Sequence, residues 1–124
     1  MKPLQPNELR LNNYLYFLGN VVQVKGIDGS LSREYIQTED YIPSKIIHFK
    51  GIPLDEQWLE NFGFKYDQIT YYKDSILCAW VKSEFVVWYR SFGESGKILN
   101  KIKYVHQLQN LYFSLTGSEL KIKE

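Results

Sequence analysis

The segment "KYVHQLQNLYF", Lys103 to Phe113, concentrates most of the chain's recognition chemistry in one short run. His106, Asn110 and Phe113 are spaced by four and three residues, which on a helix places them together on one flank, and Gln109 also lies off the apolar stripe. Such groups can read the edge of a base, accept from a ribose hydroxyl or donate to a phosphate. They can equally hydrogen-bond to a neighbouring loop, because buried polar side chains usually satisfy backbone groups close by. Lys97 and Lys101 precede the run and Lys103 opens it, and no acid stands between Ser95 and Ser118. The free amides and dipole of a helix start favour an anion there. A solvated basic loop is the other role for these lysines. "GESGK" has glycines and a lysine, yet it lacks the spacing and the following hydroxyl of a phosphate-binding loop.

A second candidate is aromatic. Trp58, Trp80, Trp88 and Tyr89, with Arg90 beside them, have the composition of a pocket that stacks a base against a cation. Trp58 lies on a helical apolar stripe and belongs to a core. Trp88 and Arg90 share one strand face, and Tyr104 adds a ring at the start of the closing helix. The candidate ligand-binding set is therefore Trp88, Arg90, Lys97, Lys101, Lys103, Tyr104, His106, Gln109 and Asn110.

Catalytic and metal chemistry have no comparable footing. His48 and His106 lack metal-site spacing, and the carboxylates are scattered at turns and helix starts. Cys78, alone in "SILCAWV", excludes a disulfide framework and reads as a small buried apolar residue. The expectation is a non-enzymatic protein with neither cofactor nor metal.

The elements that must position these groups are mostly strands. "NYLYFLGNVVQVKGIDGS" gives two β-rich runs around Gly19-Asn20, with Leu15 and Phe17 on one face and Tyr14, Tyr16 and Leu18 on the other. Both faces are apolar, so this hairpin is expected to be covered on both sides or rolled into a small barrel. A weaker strand and a short one over Lys45–Phe49 follow. In "GIPLDEQWLENFGF", Asp55 caps a helix, Leu54 and Leu59 are spaced as a hydrophobic staple, and Gly63 stops it. "ITYY", "SILCAWV" and "EFVVWYRSF" form an antiparallel meander, with turns at Lys73-Asp74 and Lys82-Ser83. Val105, Leu108, Leu111, Tyr112 and Leu115 fall at helical spacing, Gly117 ends that helix, and "ELKIK" reads as a terminal edge strand. The expected fold is α+β: antiparallel hairpins in a small sheet or SH3-like partial barrel, with helices at about 55–62 and 103–116. Residues 1–10 form a loose lead-in, and residues 11–124 a single domain.

Composition limits the partners. With 15 basic and 14 acidic side chains the 124-residue chain carries a formal charge of +1, too little for general nucleic-acid binding. Aromatic residues make up 16%, the outlying figure, and supply large rigid contact area to a core or a stacking site. No apolar run reaches the roughly 20 residues of a membrane helix, and "MKPLQPNELR" lacks the apolar segment of a signal peptide. A reducing, cytoplasmic location is the consistent expectation.

Three segments together, "NELRLNNYLYFLGNVVQVKGI", "GIPLDEQWLENFGF" and "KYVHQLQNLYFSLTGSEL", resemble a family of small proteins encoded by phages and prophages of gut Bacteroidales bacteria. Those proteins close on a "KYVHQLQNLYFALTGEEL"-like segment, and Ser114 and Ser118 stand here for its Ala and Glu. The resemblance implies a genomic setting, an infected bacterial host, rather than a mechanism. In that setting the first expectation is a binding protein that sequesters a nucleotide-derived immune signal. Phosphates would meet Arg90 and the three lysines, bases would stack on Trp88 or Tyr104, and His106, Gln109 and Asn110 would read polar edges. The second is a protein-interaction module for a host or phage protein, or for a second copy of the chain.

Overall fold

The computed structural model describes Leu4 and residues 8–28, 35–39, 41–89, 97–98 and 102–123. Its architecture is α+β, with two antiparallel five-stranded sheets. The chain divides into two compact units, Met1–Pro53 with Tyr104–Asn110, and Leu54–Lys103 with Leu111–Glu124.

The first unit holds β1 (Tyr14–Phe17), β2 (Asn20–Asp28), β3 (Tyr35–Thr38), β4 (Ser44–Lys45) and β5 (Phe49–Gly51) in the order β4-β3-β2-β1-β5. Strands β4 and β5 are opposite edges of the sheet, yet a single 3-10 turn, Ile46–His48, joins them. No ladder joins β4 to β5 among the described residues, so the sheet is not closed into a barrel. The turn also replaces the unbroken strand expected over Lys45–Phe49: Ile46 is buried while Ile47 and His48 point to solvent. The first hairpin turns one residue earlier than its sequence suggests. Phe17 pairs with Asn20, and Leu18 and Gly19 take φ of 53° and 79°, the two left-handed positions of a type I′ turn. Alternation along β1 buries Leu15 and Phe17, and Phe17 stacks on Phe49 at 4.5 Å and meets Tyr41 edge-on at 4.9 Å. Leu9, Val22, Val24, Ile36 and Ile46 complete this core.

The second unit holds α1 (Glu56–Asn61), then β6 (Lys65–Tyr66), β7 (Tyr71–Lys73), β8 (Ile76–Val81), β9 (Glu84–Tyr89) and β10 (Lys97–Ile98), ordered β10-β9-β8-β7-β6. The Asp55 carboxylate accepts from the Trp58 amide at 3.0 Å, and Gly63 takes φ of 87° just past the helix. Leu59 and Phe62 are fully buried. Lys82 and Ser83 both have positive φ and close β8 onto β9 by a second type I′ turn. Cys78 is buried, and desolvation pushes its thiol up to about 12. "ELKIK" is in no strand among the described residues: Leu120 is buried, and the Lys123 amide donates to the Asn61 carbonyl at the end of α1. The helix α2 (Val105–Thr116) runs within the expected span, and the Gly117 amide closes it on the Phe113 carbonyl at 2.8 Å. Among the described residues, no helix is long and apolar enough to cross a membrane.

Candidate functional site

The stripe Val105, Leu108 and Tyr112 is buried as its spacing requires, and the polar flank of α2 is buried with it. His106 and Gln109 have 0% exposure. Gln109 receives the Tyr14 amide on Oε1 at 2.9 Å and donates from Nε2 to the Asn12 carbonyl at 2.9 Å. Asn110 donates to the Glu8 carbonyl at 2.7 Å, and its Oδ1 accepts from Asn13 Nδ2 at 2.9 Å and from the Arg10 guanidinium at 3.3 Å. Asn13, itself buried, receives the Arg10 amide at 2.7 Å. These carboxamides thus act as surrogate partners for the Glu8 and Asn12 carbonyls and the Tyr14 amide, backbone groups of the segment that leads into β1. Of the two roles open to them, the one realised is the internal one. Glu8 and Leu9, in the expected lead-in, are held by this network and by the core of the first unit.

His106 belongs to the same network. Its Nε2 lies 2.8 Å from Glu8 Oε1, and Nδ1 is buried with no hydrogen-bond partner. Burial lowers its pKa, against the opposing pull of the Glu8 carboxylate. The ring is therefore neutral at pH 7, with Nε2 as the donor. Tyr104 stacks on it, centroids 5.8 Å apart and planes 14° apart, and Gly51 passes beneath both rings. A Cβ on Gly51 would stand 2.9 Å from the Tyr104 ring.

The remaining expected ligand groups are dispersed. Lys103 is exposed and lends its carbonyl to the Leu54 amide. Arg90 and Lys101 lie outside the described residues. Lys97 is in register opposite Trp88, which is half-buried. The expected aromatic cluster does not assemble as one pocket, because strand parity separates its members: Trp80 pairs with Phe85 and Trp88 with Leu77, on opposite faces of the sheet. Trp58 packs on Phe62 at 5.5 Å, as a helix-stripe residue should.

Two exposed surfaces stand out instead. In the first unit, Leu18 (73% exposed) and Ile47 (69% exposed) line an open cleft of about 530 Å³ with Tyr16, Gly19, His48 and Lys50. Register makes it: Tyr16 faces Lys50 across the β1–β5 ladder, and the 3-10 turn carries Ile47 outward beside the hairpin tip. In the second unit, Tyr66, Tyr71, Trp80 and Phe85 form a continuous ladder of rings across β6 to β9, with centroid separations of 4.6, 6.2 and 4.9 Å. Tyr66 is 57% and Trp80 36% exposed, while Tyr71 and Phe85 are buried. The signal for this ladder was present in the alternation of β8 and β9, but Tyr66 joins it only through the short β6–β7 pairing. Among the described residues, no group of three or more His, Cys, Asp or Glu is placed to hold a metal.

Comparison of the chain with protein-family models, with curated proteins and with solved structures gives no match.

Proposed function

We propose that this chain is a small binding protein that works by contact with another protein, through the cleft between the β1–β2 hairpin tip and the 3-10 turn. One observation carries this reading: Leu18 and Ile47, two large aliphatic side chains, are exposed side by side above Tyr16 and next to Lys50 and His48. Single exposed aliphatics are ordinary, but two sharing a cleft with a ring and a basic rim form the apolar centre and polar edge of a protein contact. Leu18 also holds a left-handed conformation that Asn or Gly would adopt at lower cost. A residue that is both exposed and conformationally unfavourable points to a use outside the fold. The three segments that resemble phage and prophage proteins support a host or phage protein as the partner.

Affinity capture from infected host cells, followed by reconstitution with the purified partner, tests this. Ile47→Asp is expected to weaken the reconstituted complex about 30-fold, the effect of losing one interface anchor. Unchanged affinity would remove the cleft from the interface.

Sequestration of a nucleotide-derived immune signal is the second reading. It rests on the half-buried Trp88, with Lys97 in register beside it on the neighbouring strand. Calorimetry against cyclic oligonucleotides and ADP-ribose derivatives separates the two, since only this one expects heat from a nucleotide.

A further inference from the structure

The polar groups that border the hairpin-tip cleft are all able to donate. Lys50 stands across the β1–β5 ladder from Tyr16, and His48 ends the 3-10 turn, so an ammonium, an imidazole and a phenol surround Leu18 and Ile47. Among the described residues no Asp or Glu lines the cleft. Lys50, His48 and the Tyr16 hydroxyl have no hydrogen bond or ion pair with a described residue.

The described acids of the first unit are engaged or placed elsewhere. Glu8 is held by His106 at 2.8 Å, on the side of β5 where a Cβ at Gly51 would meet that ring. Lys50, the neighbour of Gly51 on the strand, points to the other side. Asp28 closes the far end of β2, eight residues from Asn20 at the turn, or roughly 26 Å along a strand. That is well beyond the screening length of about 8 Å at physiological salt. Glu39 lines a different depression with Tyr14 and Gln23, and β2 and β1 lie between β3, which it follows, and β5.

We propose that the cleft takes an acidic segment of its protein partner. An apolar side chain of that segment seats between Leu18 and Ile47 over the Tyr16 ring, and an adjacent aspartate or glutamate meets the Lys50 ammonium and accepts from His48 or Tyr16. This rests on the cleft being a protein contact and adds the chemistry of its occupant. Charge complementarity selects that chemistry: Lys50 would repel a basic segment, and a neutral one would cover an ammonium without supplying a counter-charge. Shape selects a protein segment over a bilayer, because a concave site of about 530 Å³ admits a protruding side chain and a lipid surface offers none.

The test is an NMR titration of the isotopically labelled full chain with a capped Gly-Asp-Leu-Phe-Asp-Gly peptide and counterparts carrying Asn or Lys for both Asp. Saturable shifts at the Leu18 and Ile47 methyls and the Lys50 amide are expected, with the aspartate peptide bound most tightly and the lysine peptide least. Lys50→Gln should weaken the aspartate peptide about two- to five-fold, the size of an exposed ion pair. Lys50→Glu, at an exposed strand position, should reverse the order of the aspartate and lysine peptides, with circular dichroism checking the fold. Equal binding of the three peptides, or an order that Lys50→Glu leaves unchanged, overturns the proposal while leaving the cleft a protein contact. It is also overturned if no peptide shifts the cleft, or if phosphatidylserine vesicles shift it and the peptides do not. Whether the cleft is a protein contact at all is decided separately, by Ile47→Asp in the reconstituted complex.

Discussion

Glu8 and His106 are 98 residues apart in the chain, and their side chains meet at 2.8 Å with the imidazole fully buried. The contact ties the entry to the first strand onto the first turn of the last helix. Because desolvation outweighs the carboxylate, the folded protein holds this histidine neutral.

That sign fixes a pH dependence. The folded pKa lies below the unfolded value of about 6.5, so the unfolded chain takes up a proton first as pH falls. Stability is unaffected by this group above about pH 7.5. It declines below about 6.5, by at most about 1.4 kcal/mol per pH unit, until the folded pKa is reached. Urea unfolding at pH 7.5 and 5.5 should show a larger loss for the native chain than for His106→Gln. Equal losses would mean that the buried imidazole charges as easily as an exposed one.

Gln109 replaced by Leu would keep most of the volume and strand the Tyr14 amide, while the Asn12 carbonyl would keep its hydrogen bond from Gln23 Nε2 at 3.1 Å. Each buried group without a partner costs about 1–3 kcal/mol. A loss of about 1–3 kcal/mol in urea unfolding is expected for Gln109→Leu, beyond a surface substitution. A change below about 0.5 kcal/mol would show that water reaches the Tyr14 amide.

Gly51 has no room for a methyl group. Gly51→Ala would place a Cβ 2.9 Å from the Tyr104 ring and 3.2 Å from His106 Cε1, both packed against each other. Overpacking of this kind costs about 1–3 kcal/mol. The thermal midpoint should fall accordingly, and an unshifted midpoint would mean that Tyr104 swings clear.

Leu18 gives a prediction of opposite sign. Asn adopts left-handed φ more readily and is the favoured neighbour of Gly in a type I′ turn. Leu18→Asn should raise unfolding free energy by about 0.5–1 kcal/mol while weakening the partner contact proposed for the cleft. If stability rises and affinity holds, Leu18 is an accident of the hairpin rather than a recognition residue.

What the sequence determined by itself is local. Asp55 before an apolar stripe and Gly63 after it specify α1, because capping and left-handed glycine act within one turn of the chain. Apolar spacing specifies the buried stripe of α2, and alternation with short turns specifies the β7–β9 meander, since both periods are properties of the backbone. Spacing also placed His106 and Asn110 on one flank and Gln109 off the apolar stripe, but it could not say what these side chains meet. That was decided by tertiary packing, which brings residues 8–14 onto the helix and gives the carboxamides backbone groups to satisfy. Strand pairing decided that Trp80 and Trp88 face opposite ways, and that Tyr66 stacks on a ring five residues later in the chain. Sheet topology turned Lys45–Phe49 into a bend, because opposite edge strands joined by three residues leave no length for a continuous strand. Periodicity records which side of an element is apolar, while the identity of its neighbour depends on residues far away in the chain.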